Sequence, residues 1–167
     1  MTIYSTELVT EYKVKKLLRI GTCGAIQPNI NLRDIIIVQG ASTDSNMNAL
    51  RFKGMTFAPL SDFNMLRAAS DIASTKKMNA HIGGVLTSDT FYDDDPDFWK
   101  IWAKYGVLAI EMETAALLTV AAKNNAKALA ILTVSDHIVR KEKTSSEERE
   151  KNFMQMVELA LETIISE

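Results

Sequence analysis

The chain has 167 residues, 47% of them hydrophobic and 24% charged, enough for one globular domain with its own core. Its 19 basic and 21 acidic side chains leave a net charge of −2, which supplies no basic field for a nucleic-acid backbone. One cysteine excludes an internal disulfide framework and fits a reducing compartment, Met1 to Ser5 carry no secretory signal pattern, and no apolar run is long enough to span a membrane, so the expectation is a cytoplasmic protein with no nucleic-acid or membrane partner.

In chain order, Ser5 to Tyr12 reads as a short helix, Lys15 to Ile20 as a strand, and Gly21-Thr22-Cys23-Gly24 as a tight loop. Ile35 to Val38 is a β-branched run and reads as a buried strand. Asp62 to Lys76 predicts a helix with Phe63, Leu66, Ala69 and Ala73 on its apolar side, and Ala80 to Leu86 a strand loosened by Gly83 and Gly84. Asp95-Pro96 has the chemistry of a helix start; Phe98, Ile101, Trp102 and Tyr105 then recur at helical spacing, and Gly106 closes the element. Val107 to Ile110 reads as a strand, Thr114 to Asn124 as an alanine-rich helix and Ala128 to Val134 as the last clear strand. A charged loop follows from Arg140 to Lys143. Ser145 and Glu148 have capping-box spacing for a final helix to Ser166, with Phe153, Met156, Val157, Ala160, Leu161 and Ile164 as its stripe. Alternating strands and helices predict an α/β fold with a mostly parallel central sheet flanked by helices, a single domain over 1–167. The chain opens at once into a helix and a buried strand, so it reads as a domain entered partway through.

Two strands end in acids, Val107 to Ile110 in Glu111-Met112-Glu113 and Ala128 to Val134 in Ser135-Asp136. Ligands of open α/β sheets bind outside the carboxyl ends of the strands, so these acids are candidates for a site. Carboxylates of this kind suit the neighbouring hydroxyls of a sugar. A helix N-terminal charge explains Glu113 cheaply and Glu111 less well. Arg19-Ile20-Gly21-Thr22 pairs a cation with a turn glycine and a hydroxyl, as an anion site would; a structural turn explains the same residues. Arg149 falls on the apolar stripe of the last helix and needs an acceptor, which Asp136 can supply, in a structural pair or a working one. Phe91-Tyr92 can stack on a flat ligand or pack in the core. The acids Asp93, Asp94, Asp95 and Asp97 read as capping and solvated loop, and Cys23, His81 and His137 show no metal-ligand spacing. A Cys23–His137 nucleophile pair is conceivable, although a cysteine beside glycine is more often inert.

Taken together, Arg19 to Ala25, Phe91-Tyr92, Ile110 to Ala115, Thr133 to Ile138 and Glu148-Arg149 resemble the hexameric, bacterial-type purine nucleoside phosphorylases of the nucleoside phosphorylase superfamily. The resemblance implies a three-layer α/β/α fold and reversible phosphorolysis of purine (deoxy)ribonucleosides. Inorganic phosphate is the co-substrate; no cofactor and no metal are implied. The chain would assemble as a homo-oligomer, a hexamer built as a trimer of dimers. Arg19, Gly21 and Thr22 would bind phosphate, with Thr22 where the family usually has Ser. Met112 and Glu113 would hold the ribose, and Phe91, Ile110, Glu111 and Ser135 would line the base pocket. Asp136 would donate a proton to purine N7, with Arg149 swinging in to assist. The family's sequences begin upstream of the position matched by Met1, so the expected domain is incomplete at its N-terminus. Two alternatives accompany this reading: a truncated, non-catalytic chain that still binds purines, and a related nucleosidase using water, against which the phosphate anchor Arg19 argues.

Overall fold

The computed structural model describes residues 1–145 and 153–166. Six helices and six strands alternate along it. They are α1 (Thr2–Thr10), β1 (Lys16–Ala25), β2 (Ile35–Thr43), α2 (Asn46–Arg51), α3 (Phe63–Thr75), β3 (Ala80–Thr87), α4 (Trp99–Lys104), β4 (Ala109–Glu111), α5 (Thr114–Lys123), β5 (Lys127–His137), β6 (Glu142–Lys143) and α6 (Met154–Ser166). This is the expected α/β architecture, a sheet flanked by helices.

The long strand pairings are parallel. β1 follows β5 from Lys16↔Lys127 to Ala25↔His137, and β2 follows β3 from Ile35↔Ala80 to Thr43↔Thr87. The antiparallel pairings are short, among them β1 with β4 at Gly24↔Ile110 and Ala25↔Ala109, and β2 with β5 at Ile35↔Thr133 through Ile37↔Ile131. With β3 parallel to β4, these contacts join β1, β4, β3, β2 and β5 into a closed ring. β6 extends from β5 as an antiparallel arm.

Alternation along the strands sends side chains to two apolar layers. Ile36, Val38, Leu132 and Val134 pack with Leu117 and Leu118 of α5, and Val9 of α1 joins them. Ile35, Ile37, Leu129 and Ile131 pack with Met65 and Ala69 of α3 and with Met156 and Leu159 of α6. Both faces of β2 and β5 are therefore covered, which is why they appear in the sequence as unbroken apolar runs. A third cluster, centred on Ile26, Leu86 and Val107, sits under Phe98 and Trp102.

Several local expectations are corrected. Gly21 to Gly24 is not a loop: β1 runs on through it to Ala25, because β5 supplies a parallel neighbour along its whole length. The Arg140–Lys143 loop contains β6. Asp95 does not begin α4; its side chain caps a turn by accepting from the N–H of Asp97 at 2.9 Å, and the helix starts at Trp99. Phe63, Ile101, Tyr105 and Leu161 lie exposed, while Met65, Leu159 and Thr163 take core positions. Asp62 does cap α3, accepting from the N–H of Met65, and Gly106 ends α4 with a φ of 80° that favours glycine. The Ser145–Glu148 capping box lies partly outside the described residues.

Candidate functional site

Arg19 projects from the middle of β1 toward the N-terminus of α5. Its Nη2 pairs with Oε2 of Glu113, and its Nη1 lies 3.5 Å from Oε2 of Glu111. The guanidinium is folded back over Gly21: a Cβ there would meet Nη1 at 2.9 Å and Cζ at 3.1 Å. Glycine at this position leaves room for the arginine. Nη1 is buried and makes no hydrogen bond among the described residues, and the Glu111 carboxylate beside it balances its charge.

The two neighbouring glutamates have opposite duties. The Glu111 side chain is fully buried. It accepts from the Thr87 hydroxyl, from the N–H of Glu113 at 3.0 Å, and from the N–H and hydroxyl of Thr114 at 2.9 and 2.7 Å. Thr87 stands opposite Glu111 in the β3–β4 register and in turn accepts from the N–H of Ala115 at 2.8 Å. Glu111 thus secures the first turn of α5 and anchors Arg19, with its oxygens already engaged. Glu111 also borders the cavity in which a base-binding role is expected for it, and its engaged oxygens favour a scaffold role there. Glu113, which helix-end charge seemed to explain, is 39% exposed and lines the cavity.

Asp136 lies near the end of β5, where the β1–β5 register shifts between Cys23↔Val134 and Gly24↔Asp136. The extra residue is Ser135, a bulge of the kind that re-aims side chains beside a site. The Ser135 hydroxyl donates to Oδ2 of Asp136 at 2.7 Å. On the other side, Nζ of Lys143 approaches Oδ1 to 3.8 Å.

Arg19, Thr22, Glu113, Ser135 and Asp136 line one cavity of about 670 Å³, the size of a small-molecule pocket. Ile110 and Met112 form part of its floor, and Phe91 and Tyr92 stand over it with their rings edge to face at 4.9 Å. The loop bearing this pair is tied at its root, where the Ser88 hydroxyl donates to Asp44 at 2.6 Å and the Ser88 N–H donates to the Glu111 carbonyl at 2.8 Å. Gly21 is not a lining residue; it acts through Arg19. Arg149 lies outside the described residues.

Three residues at this site were not singled out from the sequence. Thr87 and Asp44 act only through partners distant in the chain. Lys143 was absorbed into a charged loop, although a two-stranded arm after β5 would have placed it opposite Asp136. The Cys23–His137 pair is not assembled: the thiol donates to the Thr133 carbonyl at 3.8 Å, and Nδ1 of His137 accepts from the N–H of Arg140 at 3.1 Å. Burial pushes the Cys23 thiol far above its ordinary value. Among the described residues no group of three acids, histidines or cysteines is placed to hold a metal, and no helix is long and apolar enough to cross a membrane.

The family model for the phosphorylase superfamily matches residues 2–167. The chain is 56% identical over 162 residues to the DeoD-type purine nucleoside phosphorylase of Thermoanaerobacter sp. (strain X514), covering 97% of this chain and 70% of that protein. It is 53% identical over 165 residues to the protein of the same name from Geobacillus kaustophilus, covering 99% of this chain and 70% of that one. For the Clostridium perfringens (strain SM101 / Type A) protein of that name the identity is 48% over 166 residues, covering 99% and 71%.

Proposed function

The chain belongs to the phosphorylase superfamily, and on that premise we propose that it is a purine nucleoside phosphorylase, a pentosyltransferase that converts a purine (deoxy)ribonucleoside and phosphate into free base and (deoxy)ribose 1-phosphate. One observation carries the assignment of roles. An arginine, a half-exposed carboxylate and an aspartate share one nucleoside-sized cavity although they are far apart in sequence.

In this reading phosphate binds between Arg19 and the Thr22 hydroxyl. Glu111 and Glu113 fix the orientation of the guanidinium, and phosphate competes with Glu113 for it. Glu113 keeps Oε1 without a hydrogen bond among the described residues and accepts from the ribose hydroxyls, with Met112 against the sugar. The base lies between Ile110 and Phe91, its N7 toward Asp136. A phosphate oxygen attacks C1′ as the bond from C1′ to N9 breaks, through a centre with oxocarbenium character. The electron pair passes to the purine, and Asp136 delivers a proton to N7. Ser135, bonded to Oδ2, fixes the orientation of the carboxyl group. The assistance of Arg149 rests on its place in the sequence.

Inorganic phosphate is the only co-substrate in this proposal, and the enzyme works in the cytoplasm as a homo-oligomer, a hexamer by the family resemblance. Supporting assembly, Met55 and Leu60 are 68% and 66% exposed and line a second cavity of about 630 Å³ beside Phe57, an apolar surface of the kind that meets a partner. The deciding experiment follows inosine spectrophotometrically with and without phosphate. Turnover that requires phosphate supports the reading. Phosphate-independent release of hypoxanthine would make the protein a nucleosidase, and purine binding without turnover would make it a non-catalytic purine binder.

A further inference from the structure

Asp44 and Ser88 are the first residues beyond the paired parallel strands β2 and β3, whose register ends at Thr43↔Thr87. Neither side chain lines the cavity. Asp44 is presented from a fixed turn: the Thr43 hydroxyl oxygen accepts from the N–H of Ser45 at 3.0 Å, and the Ser45 side chain caps α2. Its two carboxylate oxygens hold two successive residues of the loop after β3. Oδ2 accepts from the Ser88 hydroxyl at 2.6 Å, and Oδ1 accepts from the N–H of Asp89 at 3.0 Å. Ser88 passes the restraint on, since its oxygen accepts from the N–H of Thr90 at 3.2 Å, and Thr90 is the first residue of this loop on the cavity wall.

The aromatic pair beyond it has little support of its own. Phe91 and Tyr92 are 69% and 88% exposed and rest edge to face on each other. The hydrogen bonds farther along stay within the loop, from the Asp95 N–H to Asp93 and from the Asp97 N–H to Asp95, and core packing resumes only at Phe98 and Trp99. The Ser88 N–H, bonded to the Glu111 carbonyl, fixes the strand end but not the residues after it. Among the described residues, the height of Phe91 over the cavity is therefore set where Asp44 grips the loop, through charge-assisted bonds, the stronger kind. Resting on the proposed placement of the base between Ile110 and Phe91, we propose that Asp44 is a positioning residue for nucleoside binding. It touches no substrate; it holds the Phe91 ring at stacking distance from the purine. Arg19 and Thr22 on β1 and Asp136 on β5 stand outside this linkage, so base affinity depends on Asp44 while phosphate affinity does not.

The test measures inosine KM, phosphate KM and kcat in the wild type, Asp44→Ala, Asp44→Asn, Phe91→Ala and the double variant Asp44→Ala/Phe91→Ala. Calorimetric binding of free hypoxanthine, which requires no turnover, runs in parallel. Asp44→Ala is expected to raise inosine KM by about tenfold, the scale of one base-to-ring stack, with phosphate KM within about twofold of wild type. Asp44→Asn keeps an acceptor for the Asp89 N–H and a partner for the Ser88 hydroxyl, and restores most of the lost affinity. In the Phe91→Ala background Asp44→Ala adds less than about twofold, because the ring it positions is gone. The proposal is overturned if Asp44→Ala moves inosine KM by less than about threefold, if it moves both KM values equally, or if the two effects multiply in the double variant, the mark of independent sites. Should Asp44→Ala fail to fold, Ser88→Ala takes its place: it removes one of the two bonds to Asp44, an inosine KM raised by about threefold is expected, and an unchanged one overturns the proposal. Absence of any phosphate-dependent turnover would instead defeat the phosphorylase reading. Hypoxanthine affinity would then decide the role of Asp44, and an affinity unmoved by Asp44→Ala, or no binding of hypoxanthine by the wild type, would dismiss it.

Discussion

Replacing Glu111 with Gln separates a scaffold carboxylate from a base-binding one. In the wild type the Glu111 oxygens receive the Thr87 and Thr114 hydroxyls and the N–H groups of Glu113 and Thr114, and Arg19 lies 3.5 Å away. Hydrogen bonds to an ionised group contribute about 1.5–3 kcal/mol each, and neutral ones about 0.5–1.5. The less costly orientation of the amide places its NH2 at the Oε1 position and spares the bonds at Oε2. Those bonds lose their charge assistance, the Thr87 hydroxyl loses its acceptor, and Arg19 loses half of its counter-charge. The sum is a loss of about 2–4 kcal/mol, because breaking a buried network in this way is among the larger single-residue effects. For a domain of this size about 3 kcal/mol lowers Tm by about 6–12 °C. Urea unfolding gives the free energy, and nucleoside KM measured well below Tm gives the binding term. A destabilisation below about 1 kcal/mol together with a manyfold rise in nucleoside KM would refute the scaffold assignment and return Glu111 to the base pocket.

Gly21→Ala should leave the backbone in place and push aside the guanidinium of Arg19, whose Nη1, Cζ and Nη2 are the three atoms nearest the new methyl, at 2.9 to 3.1 Å. It should raise phosphate KM by about tenfold with little change in nucleoside KM, as misplacing a binding group does; steady-state kinetics with either substrate varied checks the split. Asp136→Asn should lower kcat by about 10²–10⁴-fold while nucleoside KM stays within a few-fold, measured by the phosphate-dependent assay. The Cys23 thiol is held protonated in the native state by burial, whereas the unfolded thiol titrates near 9.0. The native state therefore binds more protons above that pH, and stability falls as pH rises past about 9, by up to about 1.4 kcal/mol per unit from this group. The difference between wild type and Cys23→Ala in urea unfolding from pH 8 to 10.5 isolates that slope; equal slopes would show the thiol to be accessible.

What could be read in advance followed from properties local to each segment. The apolar runs of β2 and β5, the Asp62 cap and the Gly106 stop each have a cause within a few residues, and each is found where expected. β1 runs past the point where its glycines signal a turn, because one of them makes room for an arginine from the same strand. The choice between Glu111 and Glu113 turned on Thr87, which is adjacent only once β3 and β4 pair. Phe63, Ile101 and Tyr105 obey helical spacing yet lie outside: Phe63 is the first residue of α3, and α4 is six residues long and ends before Tyr105. Arg19, Glu113 and Asp136 are marked in the sequence by charge at strand ends, the family resemblance gives them roles, and the cavity they share is visible only in three dimensions.

The ring of strands is unequally fastened. Its two long parallel seams each carry one register shift, but it closes through β4, only three residues long, whose hold on β1 is confined to Gly24↔Ile110 and Ala25↔Ala109. Gly24 and Ile110 border the cavity, so the shortest pairing of the ring lies at the site. Local opening starts where the fewest bonds are broken. A nucleoside in the proposed pose would touch both β1 and β4, and would add contacts where the ring has fewest.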